Sequence, residues 1–227
     1  MTFELDGKNV VVTGGDGALG QSVVEAFRKA GAICHLPLFR PGPGEPAEGV
    51  HATGPVNLTD EAAVEAYYAA LPPLAASVHL AGGFAAKPIA ETTRADLSQQ
   101  LDLNLVTAFL CCREAVKALR KSGGGRIVNV GSRAVELPAR NQVAYAISKS
   151  GVATLTRALA VEVRDEGILV NAVLPSIIDT PANRAAMPKA NHDRWPRADE
   201  VARTIVWLAS GENRLTSGAL IPVYGRA

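Results

Sequence analysis

The chain has 227 residues, of which 48% are hydrophobic and 20% charged, and its formal net charge is +1. This length and composition predict one packed α/β domain spanning residues 1–227 and exclude a disordered chain. A charge near zero gives no electrostatic reason to expect binding to nucleic acid or to an anionic membrane surface.

The N-terminal residues and the cysteines both favour a cytoplasmic location. The first residues carry neither the basic nor the apolar region of a signal peptide, and no stretch of 18 apolar residues occurs. We therefore expect a protein without a membrane-bound part. The three cysteines, Cys34, Cys111 and Cys112, predict buried and reduced thiols, and no Cys/His spacing indicates a metal site.

Short apolar runs alternate with helical patterns along the chain. Strands are predicted at residues 10–12 and 32–38, separated by a helix that contains residues 23–30 and ends at Gly31. The Pro/Gly run 41–44 predicts a loop. Helices are then predicted at 60–71 (capped by Thr59 or Asp60), 96–121, 143–163 and 199–209, and strands at 77–80, 126–130, 168–174 and 220–223.

This alternation predicts an α/β fold with a single Rossmann-type, doubly wound parallel sheet and helices on both faces. In such sheets a ligand binds outside the carboxyl ends of the strands.

A glycine-rich turn lies between the first predicted strand and helix. Its spacing, Gly15-x-Gly17-x-x-Gly20, is the dinucleotide fingerprint, in which glycines let the main chain approach a pyrophosphate at a helix N-terminus. A merely structural glycine turn is the alternative. We predict cofactor contacts from Gly14, Gly15, Asp16, Gly17, Ala18, Leu19 and Gly20.

The form of the cofactor, NAD or NADP, stays open. The fingerprint normally has an acidic residue about 20 positions on, but after Glu25 the next acidic residue is Glu45. Arg40 is placed to accept a 2′-phosphate, which favours NADP; a solvated loop arginine is the alternative. Asp16 favours NAD, because a carboxylate repels a 2′-phosphate.

Ser132, Tyr145 and Lys149 form a candidate catalytic group. Ser132 follows the strand 126–130, and Tyr145 and Lys149 share one helix face because they are four residues apart. We expect the lysine to lower the tyrosine pKa from about 10, so that the phenol exchanges a proton near neutral pH. Ser132 would bind the substrate oxygen. A chance Tyr–Lys pair on a helix surface is the alternative.

In these residues the chain resembles the short-chain dehydrogenase/reductase family. Tyr145-Ala-Ile-Ser-Lys149 is similar to the family's Tyr-x-x-x-Lys, Ser132 to its serine, and Asn104 to the asparagine that supports a proton-relay water. The resemblance implies hydride transfer between a nicotinamide and a carbonyl or alcohol, with Tyr145 as general acid/base. It also implies a homo-oligomer, a tetramer or dimer.

Further positions resemble the family's cofactor contacts. By that resemblance Asn57 and Leu58 flank the adenine, Ala81 and Gly82 lie along the cofactor, and the nicotinamide meets Pro175, Ile178 and Thr180, followed by a short substrate lid at about 181–197. Tyr145 and Lys149 also contact the cofactor. His79 departs from the family pattern, and a packed histidine is favoured over a ligand contact.

The lid and the glycine loop add two narrower expectations. Eighteen residues and three prolines between Thr180 and Asp199 predict a compact or planar substrate held against Met187 and Trp195, unless these two only pack the lid. The loop and the segment 179–195 are also similar to quinoid dihydropteridine reductase, which implies a quinonoid substrate as an alternative. A non-catalytic nucleotide-sensing protein is the other alternative.

Overall fold

The computed structural model describes residues 5–40 and 46–226, and its centre is one seven-stranded sheet. The strands are β1 (Asn9–Thr13), β2 (Ile33–Pro37), β3 (Val50–Thr53), β4 (Leu74–His79), β5 (Gly125–Val130), β6 (Ile168–Pro175) and β7 (Leu220–Val223). All neighbours pair in parallel, in the order β3-β2-β1-β4-β5-β6-β7. The strand order therefore reverses between β1 and β4, where doubly wound sheets bind ligands.

Helices cover both faces of the sheet, which confirms the predicted fold class. They are α1 (Ala18–Lys29), α2 (Glu61–Ala69), α3 (Arg94–Leu101), α4 (Thr107–Lys121), α5 (Val143–Glu162), α6 (Pro181–Ala186) and α7 (Ala198–Ala209). Val10 and Val12 of β1 pack towards α1 and α7, whereas Val11 packs towards α2 and α4. Successive side chains of a strand point to opposite faces, so this one strand contributes to both cores.

Most predicted elements are present within one to three residues of their predicted bounds, and the helix cap at Asp60 is confirmed. The Asp60 carboxylate accepts hydrogen bonds from the main-chain N–H groups of Ala62 and Ala63. Gly31 follows α1 with a φ of +81°, a left-handed conformation that favours glycine. The predicted loop 41–44 lies outside the described residues.

Two features differ from the prediction. β3 was not predicted, because it is an edge strand whose residues are mostly exposed and show no apolar run. The helix predicted over 96–121 is two helices, α3 and α4, joined by the π-helical turn Asp102–Val106. A π-helical turn contains about one residue more than an α-helical turn, so the helix is wider around Asn104. Such π turns are frequent at functional sites.

The predicted thiols are confirmed and no membrane-spanning helix is found. Cys34, Cys111 and Cys112 are buried and unbridged, and burial raises the pKa of Cys34 and Cys112 to about 12. In the described ranges, no helix combines the length and apolar character needed to cross a membrane.

Candidate active site

The glycine loop forms a tight cradle at the carboxyl end of β1. Gly14 has a φ of +65°, and a Cβ atom there would lie 2.9 Å from the main-chain nitrogen of Ala81. A Cβ atom on Gly20 would lie 2.0 Å from the main-chain oxygen of Gly14. Only glycine fits these positions, because any side chain would displace main-chain atoms.

The first turn of α1 offers a free N-terminus to this cradle. Gly17 precedes the helix without a side-chain cap, and the first turn contains no acidic residue. The first main-chain N–H groups of a helix lack partners and carry a partial positive charge. The loop and this helix N-terminus together have the character of a phosphate-binding site.

The end of β4 joins this cradle to Asn104. Ala81 donates its main-chain N–H to Thr13 Oγ1 over 3.2 Å. A Cβ atom on Gly82 would lie 2.5 Å from Asn104 Oδ1 and 3.4 Å from Lys149 Nζ. Gly82 thus brings the main chain against two of the predicted catalytic residues.

Asn104 is buried in the π-helical turn, and both polar atoms of its side-chain amide make hydrogen bonds. Its Nδ2 donates to the main-chain oxygens of Gly83 (2.9 Å) and Gln100 (3.1 Å) and contacts Ser148 Oγ at 3.2 Å. Its Oδ1 accepts from the main-chain N–H of Gly83 over 3.1 Å. The residue therefore ties the segment after β4 to α5, one residue before Lys149.

Ser132 and Tyr145 line one cavity of about 520 Å³ at the carboxyl end of the sheet. Ser132 follows β5 and its hydroxyl accepts from the main-chain N–H of Ala134 over 3.1 Å. Tyr145 extends from the first turn of α5. Ile178 and Thr180, from the segment after β6, line the same cavity.

The protonation of Tyr145 and Lys149 corrects one expectation from the sequence. Burial raises the pKa of Tyr145, and a hydrogen bond from Ser132 offsets part of this shift. Burial lowers the pKa of Lys149 to about 8, and its Nζ donates to the main-chain oxygen of Val130 over 2.8 Å. The prediction that Lys149 lowers the tyrosine pKa is wrong for this structure, because burial of the Tyr145 phenol has the larger effect.

The segment after β6 is ordered by its own hydrogen bonds. Pro175 is buried at the end of β6, and Thr180 caps α6 by accepting from the main-chain N–H of Asn183 over 3.2 Å. Asn183 Nδ2 donates to the main-chain oxygen of Ile178 over 2.8 Å. Ile178 and Thr180 are therefore held in a fixed position at the cavity.

The four residues predicted near the adenosine lie on the β1–β2 side of the sheet. Leu58 is buried in the core, whereas the side-chain oxygen of Asn57 accepts from Thr59. Arg40, shortly after β2, and Asp16, in the glycine loop, are both exposed. Neither side chain makes a hydrogen bond within the described part of the chain.

His79 is a packed histidine, as the sequence favoured. Its ring lies 2.8 Å from Asn129 Oδ1 and 2.9 Å from Ser77 Oγ, and burial lowers its pKa to about 4. The imidazole is therefore neutral at physiological pH and serves the core at the end of β4.

Sequence reasoning did not identify several cavity residues. Phe84 stacks edge-on against Tyr145, with 4.9 Å between ring centroids, and Arg133, Leu137 and Gln142 also line the cavity. Arg133 had a usable signal, since it directly follows Ser132. Phe84 is brought in by tertiary structure alone, because it lies far from Ser132 and Tyr145 in the sequence.

The two lid residues have different surroundings. Met187, at the end of α6, lines the cavity. Trp195 is buried and packs against the ring of His192, with 4.5 Å between ring centroids, and does not line the cavity. Met187 fits the predicted substrate contact, whereas Trp195 packs the lid onto the rest of the protein.

The short chain dehydrogenase family model matches residues 8–191. The chain belongs to this family. Galactitol 2-dehydrogenase of Rhizobium johnstonii is 35% identical to this chain, in an alignment that covers 97% of this chain and 95% of that protein. D-threitol dehydrogenase of Mycolicibacterium smegmatis is 30% identical, in an alignment that covers 98% of this chain and 94% of that protein. The structure of ElxO with NADP bound has the same fold, with a TM-score of 0.89 at 24% identity over 96% of this chain and 98% of that chain.

Membership settles the class of chemistry. This short-chain dehydrogenase is an NAD(P)-dependent oxidoreductase that transfers a hydride between a nicotinamide and a carbonyl or alcohol substrate. The glycine cradle and the free N-terminus of α1 fit the pyrophosphate of such a cofactor.

Proposed function

We propose that this short-chain dehydrogenase interconverts a compact secondary alcohol and its ketone, with Tyr145 as general acid/base. The observation that carries the proposal is that the Ser132 and Tyr145 side chains line one cavity together with Ile178 and Thr180. Ser132 binds and orients the substrate oxygen. In oxidation Tyr145 takes the hydroxyl proton, and the hydride leaves the same carbinol carbon for the nicotinamide as the C=O bond forms.

Lys149 and Asn104 complete the proposed machinery. The Lys149 side chain binds the cofactor. Asn104 positions the main chain at Gly83 and anchors a proton-relay water. NAD(P) supplies a hydride acceptor or donor when bound. We propose that the cofactor contacts the glycine loop and residues from the segments that follow several strands, namely Asn57, Leu58, Ala81, Gly82, Pro175, Ile178 and Thr180. We also propose that Arg40 selects the phosphorylated form, NADP, or that Asp16 selects the unphosphorylated form, NAD.

The relatives and the cavity both support a small substrate. The relatives named above act on galactitol and D-threitol, which are short polyols. A cavity of about 520 Å³ is within the usual range for small ligands. We further propose that residues 1–227 form one domain and that the segment 181–197 is its substrate lid.

We also propose a cytoplasmic homodimer or homotetramer. Phe109 of α4 and Ile147 and Val161 of α5 are large apolar residues that are at least 47% exposed. Burial of such residues between subunits would remove apolar area from water. Light scattering after gel filtration measures the subunit number, and a monomer at micromolar concentration contradicts this part of the proposal.

The decisive experiment is a turnover screen with NAD⁺, NADP⁺, NADH and NADPH over a panel of polyols, ketoses, simple ketones and quinonoid dihydropterins. We expect turnover of at least one alcohol/ketone pair that is lost in Tyr145→Phe. Turnover of the dihydropterin alone would favour the dihydropteridine-reductase-like alternative. Tight cofactor binding without any turnover would favour a nucleotide-sensing protein.

A further inference from the structure

The proposed substrate cavity contains one unusual charge. Among the described residues that line it, Arg133 alone carries a charged side chain, and it directly follows Ser132. The other walls are apolar, as with Phe84 and Met187, or neutral and polar, as with Gln142. A charge on the wall of a partly apolar cavity has a large influence on which ligands bind there.

Arg133 has no acidic partner within the described ranges. No carboxylate lies within 4.0 Å of its guanidinium, and none of its N–H groups donates a hydrogen bond there. Other arginines of this chain are satisfied differently: Arg184 makes a two-bond pair with Asp179, and Arg120 makes one with Glu166. The five N–H donors of Arg133 are therefore available to a ligand.

Tyr224 supports the guanidinium without neutralising it. The Arg133 Cζ atom lies 5.9 Å from the centroid of the Tyr224 ring, a cation–π arrangement. The Tyr224 hydroxyl donates to Glu136 Oε2 over 2.7 Å, and its main-chain oxygen accepts from Ser176 Oγ over 2.8 Å. The nearest acidic residue in the sequence, Glu136, is thus engaged by the tyrosine, and Tyr224 itself is held by hydrogen bonds to Glu136 and Ser176.

We propose that Arg133 binds a carboxylate of the substrate, so that this enzyme acts on a compact hydroxy acid or oxo acid rather than on a neutral polyol. The inference rests on the proposed function, because it assigns the reacting carbon to Ser132 and Tyr145. A guanidinium binds a carboxylate through two parallel charge-assisted hydrogen bonds, which orient the ligand as well as hold it. Since Ser132 and Arg133 are adjacent, the acid group and the reacting carbon belong to one small molecule.

The test uses pairs of ligands in which the negative charge is removed with little change in size. As substrates, small hydroxy acids and oxo acids are compared with their methyl esters. As inhibitors, simple carboxylates are compared with their primary amides, with any substrate that the enzyme turns over. For the wild type we expect the acids to have the higher kcat/KM and the carboxylates to inhibit competitively. Arg133→Gln should lower kcat/KM for the acids about 10- to 100-fold, mainly through KM, and change the esters little.

Three further variants separate binding from folding. Arg140→Gln removes an exposed arginine from the same loop outside the cavity and should leave the acid preference unchanged. Tyr224→Phe keeps the ring and should retain most of the preference, whereas Tyr224→Leu removes the ring and should raise KM for acids only. Cofactor affinity, measured by fluorescence titration, checks that each variant is folded.

The outcomes distinguish the two proposals. Three results together would overturn the role of Arg133: the wild type has equal kcat/KM for acids and esters, Arg133→Gln does not change these values, and carboxylates inhibit no better than amides. These results would leave the hydride-transfer proposal intact. If nothing turns over, a thermal-shift comparison of carboxylates and amides on the cofactor-loaded protein still decides. A carboxylate shift that disappears in Arg133→Gln supports the inference, and no shift contradicts it.

Discussion

Lys149 donates a hydrogen bond of 2.8 Å from its Nζ to the main-chain oxygen of Val130, the last residue of β5. The ammonium thereby connects α5, which carries Tyr145, with the strand that precedes Ser132. Burial lowers the pKa of this ammonium from 10.5 to about 8, so the charged form is less favourable in the folded than in the unfolded protein.

This shift predicts a specific dependence of stability on pH. Above the folded pKa of about 8 the folded protein has lost the Lys149 proton, whereas the unfolded chain keeps it up to 10.5, so stability rises with pH in this window. Between pH 7.5 and 9.5 we expect the free energy of unfolding to rise by about 2 kcal/mol relative to Lys149→Met. Urea unfolding of both proteins across this range measures the difference, and a constant difference would mean that Lys149 titrates normally.

The role of Tyr145 is tested by removal of its hydroxyl alone. In Tyr145→Phe the ring and its contact with Phe84 remain, so the fold and cofactor affinity should survive, while turnover falls at least ~10²-fold with the loss of the general acid/base. Tyr67→Phe is the matched control, because the Tyr67 hydroxyl is buried without a partner within the described residues. It should leave turnover unchanged, and a normal rate for Tyr145→Phe would remove Tyr145 from the mechanism.

The glycine cradle allows a comparison at matched main-chain conformation. Gly14 and Gly7 have φ angles of +65° and +64°, but a Cβ atom on Gly14 would meet Ala81 at 2.9 Å, whereas one on Gly7 would meet nothing within 4 Å. Alanine at either site costs about 1 kcal/mol of backbone strain. Only Gly14→Ala should also weaken cofactor binding, by at least ~10-fold. Equal dissociation constants for the two variants would show that the cradle does not contact the cofactor.

Local sequence patterns were sufficient to predict most of the fold and the placement of the candidate catalytic residues. Val10 to Val12 form a short buried run before a glycine turn, and Tyr145 and Lys149 are fixed four apart on a helix, so their placement needs only local information. β3 had no such signal, because an exposed edge strand needs no apolar alternation. Its pairing with β2 is visible only in three dimensions.

The parts of the site that were missed depend on tertiary contacts. The π turn at Asn104 has the same apolar periodicity as an α-helix, and its register is fixed by hydrogen bonds to Gly83 and Ser148. The raised pKa of Tyr145 follows from burial by distant segments. Arg133 and Tyr224 meet although 91 positions separate them in the sequence.

We expect the cofactor form to depend on which of two exposed side chains, Arg40 or Asp16, meets the adenosine ribose. If Arg40 binds a 2′-phosphate, Arg40→Ala should weaken NADPH by about 1.5–3 kcal/mol and leave NADH unchanged. If Asp16 faces the ribose hydroxyls, Asp16→Ser should weaken NADH and improve NADPH. Titration of both cofactors against both variants measures this, and equal effects on the two cofactors would exclude both residues as determinants.

The two lid residues should respond differently to substitution, because only Met187 lines the cavity. Trp195 is buried against His192, so Trp195→Leu removes packing atoms and should cost roughly 2–4 kcal/mol of stability without a change in substrate preference. Met187→Ala enlarges the cavity and should improve kcat/KM for larger ketones relative to smaller ones. The measurement is a kcat/KM series over ketones of increasing size, together with long-chain 3-oxoacyl thioesters, for the wild type and both variants. Because the segment 181–197 is short and encloses little apolar surface, we expect the wild type to prefer the compact ketones, and a clear preference for the thioesters would contradict the compact-substrate proposal.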